Sequence, residues 1–304
     1  MHLIQLSPLW RQQQWQGLLA IGAESQLQCL QDLLSEQPIS ATMPCFIPAQ
    51  NSQWPALSVL PAAQLALDIN QSEQLAALAP EVYACGAWYL NGSSAQTAPA
   101  KPELLELISL VAADAETATL ERVFSRAPDL TFRLLRLVNS VGMRSRIEIS
   151  SIRHAITVLG RTQLQRWVQL LMYAEQFGES SAMSPLLLAA LIRARRLESW
   201  AQHGWLNTTP DSAFLLGMLS LLDRLFHKPM PELISNLPLN EKMMAALLKS
   251  EGVLGAALEQ TKLMEAYWDD DSWAIRPFSA EAIWVKSEVE VYRWVASLAE
   301  SFQS

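Results

Sequence analysis

The sequence predicts an α+β chain, with a small α/β domain over residues 1–98 followed by an all-α domain over 99–304. Three observations carry that prediction. Short strand-like and helix-like stretches alternate before residue 90, a small polar stretch follows, and beyond Pro102 only helical periodicity is found.

In the first part, "WQGLLAIGA" (15–23) and "LALDIN" (65–70) are short apolar runs bounded by Gly, Asn or polar residues, as strands are. "ESQLQCLQDLLSEQ" (24–37) and "SEQLAALA" (72–79) space their apolar residues at three and four, as helices do. "VYACGAWYLNG" (82–92) reads as a buried strand ending at a turn. Pro38, Pro44, Pro48, Pro55 and Pro61 punctuate the middle, which predicts long loops there. "NGSSAQTAPAK" (91–101) reads as the linker.

The second part opens with "PELLELISLVA", where Pro102 suits a first helical position. "TLERVFSR", "PDLTFRLLRLVNSV", "SSIRHAITVLG" and "TQLQRWVQLLMYAEQF" follow. Ser151 can cap the fourth of these and Gly160 can close it, while Thr162 and Gln165 form a capping box for the fifth. Further helices are expected at about 184–202, 211–227, 240–250, 252–268 and 279–302.

A chain of 304 residues buries about three quarters of its unfolded surface and needs no covalent staple. The longest apolar run, "PLLLAALI" (185–192), falls short of the ~20 residues that span a bilayer. The start, "MHLIQLSPLW", has neither the basic flank nor the cleavage site of an export signal. Cys29, Cys45 and Cys85 share no close spacing and read as reduced thiols, so a cytoplasmic protein is expected.

A net charge of −8 argues against attraction of the whole chain to nucleic acid. Yet residues 126–166 hold eight arginines against Asp129 and Glu148, a local charge of +6. Within this segment His154 lies at the border of a helix whose buried face is Ile152, Ala155, Ile156 and Leu159. A catalytic metal site needs clustered His and Asp, but no His-Asp dipeptide occurs and no two of His2, His154, His203 and His227 stand at ligand spacing. Asp269, Asp270 and Asp271 read as a solvated loop. The helix–Gly–helix passage at 151–172 has the outline of a helix-turn-helix, but Leu164, Trp167, Val168 and Leu171 on its second helix read as core. Only Gln165, Arg166 and Gln169 are left to face solvent, which makes nucleic acid an unlikely partner. Trp284 and Trp294 belong to the apolar face of the last helix.

The arginine-rich stretch also carries a resemblance. "APDLTFRLLRLVNSVGMRSRIEISSIRHAITVLGRTQLQRWVQLLMYA" (127–174) resembles the core of an HDOD domain, a helical relative of the HD phosphohydrolases. Residues 213–260 resemble the distal part of the HDOD domains of EAL–HDOD signalling proteins, so the second part is expected to be HD-like. A catalytic HD domain would carry adjacent His and Asp in the segment equivalent to "GMLSLLDRL", where this chain has Ser220 and Leu221. An earlier ligand histidine would fall near Leu186. The resemblance therefore implies a degenerate metal site with no cofactor and no catalysis. It also suggests that residues 1–98 are a shortened, degenerate EAL-like unit lacking the "E-x-L" and "DDFG" signatures.

The leading expectation is a non-catalytic bacterial regulator that acts by protein–protein contact. Arg133, Arg136, Ser140, Arg144, Arg146 and Arg153 are the candidate contacts for an acidic partner. A metal-dependent phosphodiesterase acting on a cyclic dinucleotide and a nucleic-acid-binding regulator are the alternatives, and a homodimer through the edge of the N-terminal sheet is a further option.

Overall fold

The computed structural model describes residues 4–48, 54–91, 102–127, 184–235, 237–265 and 281–303, with short pieces at 130–131, 134, 154, 160, 164–166 and 168–170. Six strands form one mixed sheet: β1 (Gln5–Arg11), β2 (Gln14–Ile21), β3 (Cys45–Pro48), β4 (Ser58–Leu60), β5 (Leu65–Ala66) and β6 (Tyr83–Cys85), in the order β4-β3-β2-β1-β6-β5. At its centre β1 runs antiparallel to both β2 and β6, while β2, β3 and β4 are mutually parallel, as are β5 and β6. Helix α1 (Glu24–Glu36) connects β2 to β3, and the single-turn α2 (Ser72–Ala76) precedes β6.

Every strand sends a side chain into one small cluster. Leu9, Leu19, Leu60 and Cys85 are buried in it, and Phe46, Leu65 and Tyr83 pack alongside. Contributions from both edge strands mean that the sheet curls around this cluster. Its other face, with Ile4, Leu6, Trp10, Leu18, Ala20, Cys45, Ile47 and Ala84, joins the main core. That core runs without a break into the helices.

The expected architecture, a small α/β domain followed by an all-α HD-like domain, is therefore corrected. The N-terminal region is a curled mixed sheet built on an antiparallel hairpin, and its main-core face is shared with the helices. The hairpin was hidden in the sequence for two reasons. Its two-residue turn is Gln12-Gln13, both left-handed at φ +50° and +64°, where Asn-Gly is the usual signal. Its first strand also contains Pro8, which ordinarily argues against a strand. Here Pro8 registers with Leu18, whose N–H is turned the other way to the Pro44 carbonyl. The pair is of the non-hydrogen-bonded kind, and the missing amide is not needed. Strands β3 and β4 lie in the proline-punctuated stretch expected to be loop.

The elements described after residue 101 are all helices: α3 (Pro102–Ala112), α4 (Thr117–Arg126), α5 (Pro185–Gln202), α6 (Pro210–Leu219), α7 (Leu222–Phe226), α8 (Met230–Ile234), α9 (Glu241–Lys249), α10 (Gly252–Leu263) and α11 (Glu281–Gln303). Pro102 opens α3 as the sequence indicated, and Gly160 takes φ +78°, the left-handed conformation of a closing glycine. The helix expected over 211–227 is two helices, broken between Ser220, which ends α6, and Leu221, which precedes α7. Ser184, Thr209 and Asn240 cap α5, α6 and α9 through side-chain oxygens that accept from backbone N–H groups. No described helix is long and apolar enough to cross a membrane.

Candidate functional site

Helix α5 opens with a wholly apolar run, Pro185 to Ile192, and is buried along most of its length. Arg193 and Arg196 nevertheless lie inside it, at 2% and 1% exposure, and buried charges of this kind require partners. Arg193 donates through Nε and Nη2 to both carboxylate oxygens of Glu265, at 2.5 and 2.6 Å. Its Nη1 donates to the Ser220 hydroxyl at 3.1 Å, and that hydroxyl donates to the Gly217 carbonyl at 2.7 Å. One guanidinium thus joins α5, the α6–α7 break and the second residue beyond α10.

One turn further along, Arg196 grips Glu288 of α11, with Nε 3.0 Å from Oε1 and Nη2 2.7 Å from Oε2. Burial works against the Arg196 charge, but Glu288 and Tyr292 outweigh it and hold the guanidinium above its usual range. Burial also lifts the Tyr292 phenol above its ordinary range, as it does the Tyr89 phenol. Toward the surface, the buried carboxylate of Glu198 takes Arg195 and Arg166, each at 2.5 Å. Arg166 also reaches Asp211 at 2.8 Å and lies over the Phe214 ring, while Arg195 lies over Trp294.

These contacts place the positions aligned with metal ligands. Ser220 is buried and hydrogen-bonded to Arg193. Leu221 is buried in the main core, and Leu186 packs half-buried against it. Neither leucine offers a donor atom, and the guanidinium on Ser220 is a fixed positive charge that repels a divalent cation. The nearby carboxylate, Glu265, already has both oxygens on Arg193. Among the described residues, no three His, Cys, Asp or Glu side chains gather as a metal site.

Arg133, Arg136, Ser140, Arg144, Arg146 and Arg153, the expected partner contacts, lie outside the described residues. Two other arginines of the basic segment are paired within the chain: Arg126 with Glu106 at 2.8 Å, and Arg166 as above. The two polar side chains expected to face solvent beside Arg166 are engaged or enclosed. Gln165 donates to Asp114 at 2.9 Å, and Gln169 is buried. Leu164 and Val168 are core, as expected, and His154 is helical and half-buried. The buried pairs of Arg193 and Arg196 were not anticipated, although "LIRARRLESW" (191–200) contained the signal: three arginines in an apolar helix demand buried carboxylates.

The chain is similar to two curated relatives. It is 31% identical over 176 residues to the cyclic di-GMP phosphodiesterase CdgJ of Vibrio cholerae, covering 57% of this chain and 40% of that one. It is 32% identical over 142 residues to the uncharacterized protein YuxH of Bacillus subtilis, covering 46% and 34%. The chain thus spans well under two thirds of either relative. A solved HDOD domain protein of Geobacter sulfurreducens is similar at 16% identity and a TM-score of 0.38, over 59% of this chain and 78% of that one. The HDOD domain profile matches residues 99–260, more than half of the chain, and the protein belongs to the HDOD domain family.

Proposed function

We propose that this protein is a non-catalytic, cytoplasmic regulator of bacterial signal transduction that acts through protein–protein contact of its HDOD helices. One observation carries the reading: Ser220, aligned with a metal-ligand position, is held by a buried arginine whose charge is already matched by Glu265. A centre built this way supports packing, and nothing in its donor set activates water. The partner presents an acidic surface to Arg133, Arg136, Ser140, Arg144, Arg146 and Arg153 of the basic segment. The sheet region is a degenerate EAL-like remnant. The parallel β2–α1–β3 unit supports this, being the repeat from which β/α barrels are built.

The test has two arms. Elemental analysis of protein prepared with Mn²⁺ and Mg²⁺ should find no stoichiometric metal, and incubation with cyclic di-GMP should leave the dinucleotide intact. Pull-down from the native host should recover a partner that Arg144→Glu/Arg146→Glu loses while remaining folded. Metal at one equivalent with turnover would replace this reading by the phosphodiesterase one, which the similarity to CdgJ favours. A complex with DNA or RNA at low salt would favour nucleic-acid binding, against which the engaged Arg166 and Gln165 already weigh.

A further inference from the structure

Helix α11 lies beyond the family-matched residues, yet it bonds to both parts of the chain. β6 registers with β1 only at Leu9 and Trp10, so among the described residues no strand flanks the first half of β1 on that side. The two carbonyls there are satisfied by side chains of α11. Trp284 Nε1 donates to the Ile4 carbonyl at 3.1 Å, and the Tyr292 hydroxyl donates to the Leu6 carbonyl at 2.6 Å. The same Tyr292 oxygen lies 3.4 Å from Arg196 Nη2, in the buried pair that fixes α11 to α5. The next residue, Arg293, donates to the carbonyls of Leu33, Gln37 and Pro38 at the end of α1. A turn or two later, Glu300 accepts from Ser40 and Thr42. On the α10 side, Gln5 Nε2 donates to the Met264 carbonyl at 3.1 Å.

We infer that α11 is a clamp that makes the sheet and the HDOD helices one cooperative unit, with Leu6, Tyr292, Arg196 and Glu288 as its joint. All four are at most 1% exposed. Sliding the sheet against α5 would strand a buried carbonyl and two buried ions, a far larger penalty than parting two apolar surfaces. Domains joined by a polar linker ordinarily move on small, wet interfaces. Here the joint is buried and hydrogen-bonded on both sides, so a load on β1 is transmitted to α5 instead of being absorbed between them.

Native-state hydrogen exchange on the full chain, read with calorimetry, tests it. Wild type should unfold in one calorimetric transition. Tyr292→Phe keeps the ring and removes only the hydroxyl, and it should lower amide protection about five- to tenfold, the loss of one net hydrogen bond. That loss should appear together in β1 and in α5. Lys286→Ala, on the exposed face of α11, should change neither segment. Two separate transitions, loss confined to β1, or an equal loss in Lys286→Ala would overturn the clamp.

Discussion

Arg193 holds both carboxylate oxygens of Glu265, 72 residues away, at 2.5 and 2.6 Å, inside a helix that is buried along most of its length. The pair lies beside Ser220, where the HD resemblance would place a metal ligand. A metal ion holds helices together by drawing several anionic ligands to one positive centre. Here a guanidinium draws a carboxylate and a hydroxyl to one positive centre and joins the same kinds of elements, using hydrogen bonds in place of coordination.

Breaking this pair from one side should be far worse than removing it altogether. Arg193→Met leaves Glu265 buried with its ion partner gone and should lower stability by about 3–5 kcal/mol. Arg193→Met/Glu265→Leu should recover most of that loss, because neither member is left charged and unpaired. Urea denaturation of the two single variants and the double variant measures the coupling. A double variant no more stable than Arg193→Met would show that the pair does more than balance charge.

Gly217 marks the closest approach of α6 to α5. A Cβ built there would lie 2.4 Å from the backbone of Ala194 and 2.7 Å from that of Arg193. Both contacts are with main chain, which cannot rotate out of the way. Gly217→Ala should therefore destabilise by about 1–3 kcal/mol, and Gly217→Val by more. Thermal melts that ranked Ala equal to glycine would show that the helices can separate without loss.

The two buried thiols make stability depend on pH in the alkaline range. Burial raises Cys45 and Cys85 from 9.0 to about 12, because the interior disfavours the thiolate. Well below pH 9 both thiols are protonated in the folded and unfolded chain alike, and they add no pH dependence. As pH rises from about 9 to about 12, the unfolded chain gives up these protons first, so the folded state loses stability across that window. Tyr89 and Tyr292, both raised by burial, act in the same direction. Denaturant midpoints should fall above pH 9 and be flat, as far as these groups are concerned, well below it. At pH 8 a thiol reagent should modify the half-buried Cys29 well ahead of Cys45 and Cys85, and all three should react in denaturant.

Much of the helical part was legible because each helix carries its own signal. Pro102 at a first position, Asn240 before α9, and the three-and-four spacing of α1 and α11 are local facts that need no partner to be read. The sheet was harder. A strand's partner is remote in sequence, and β1 combines Pro8 with a Gln-Gln turn, two features that locally speak against a hairpin. The break at Ser220 was missed for a related reason. Every residue from Ala213 to Leu222 suits a helix, apart from the permissive glycine, and the interruption comes where Arg193 takes the serine hydroxyl.

The sequence by itself determined the family, the helical character of the described elements beyond residue 101, and which side chains stand at Leu186, Ser220 and Leu221, because these are properties of residue type and order. Tertiary structure decided which charge meets which. No spacing rule links Arg193 to Glu265, Arg196 to Glu288, or Tyr292 to the Leu6 carbonyl, separated by 72, 92 and 286 residues. Those pairings arise when a shared apolar core draws the sheet and the helices together. Polar groups caught in such a core must find partners across the seam, since water is no longer there to supply them.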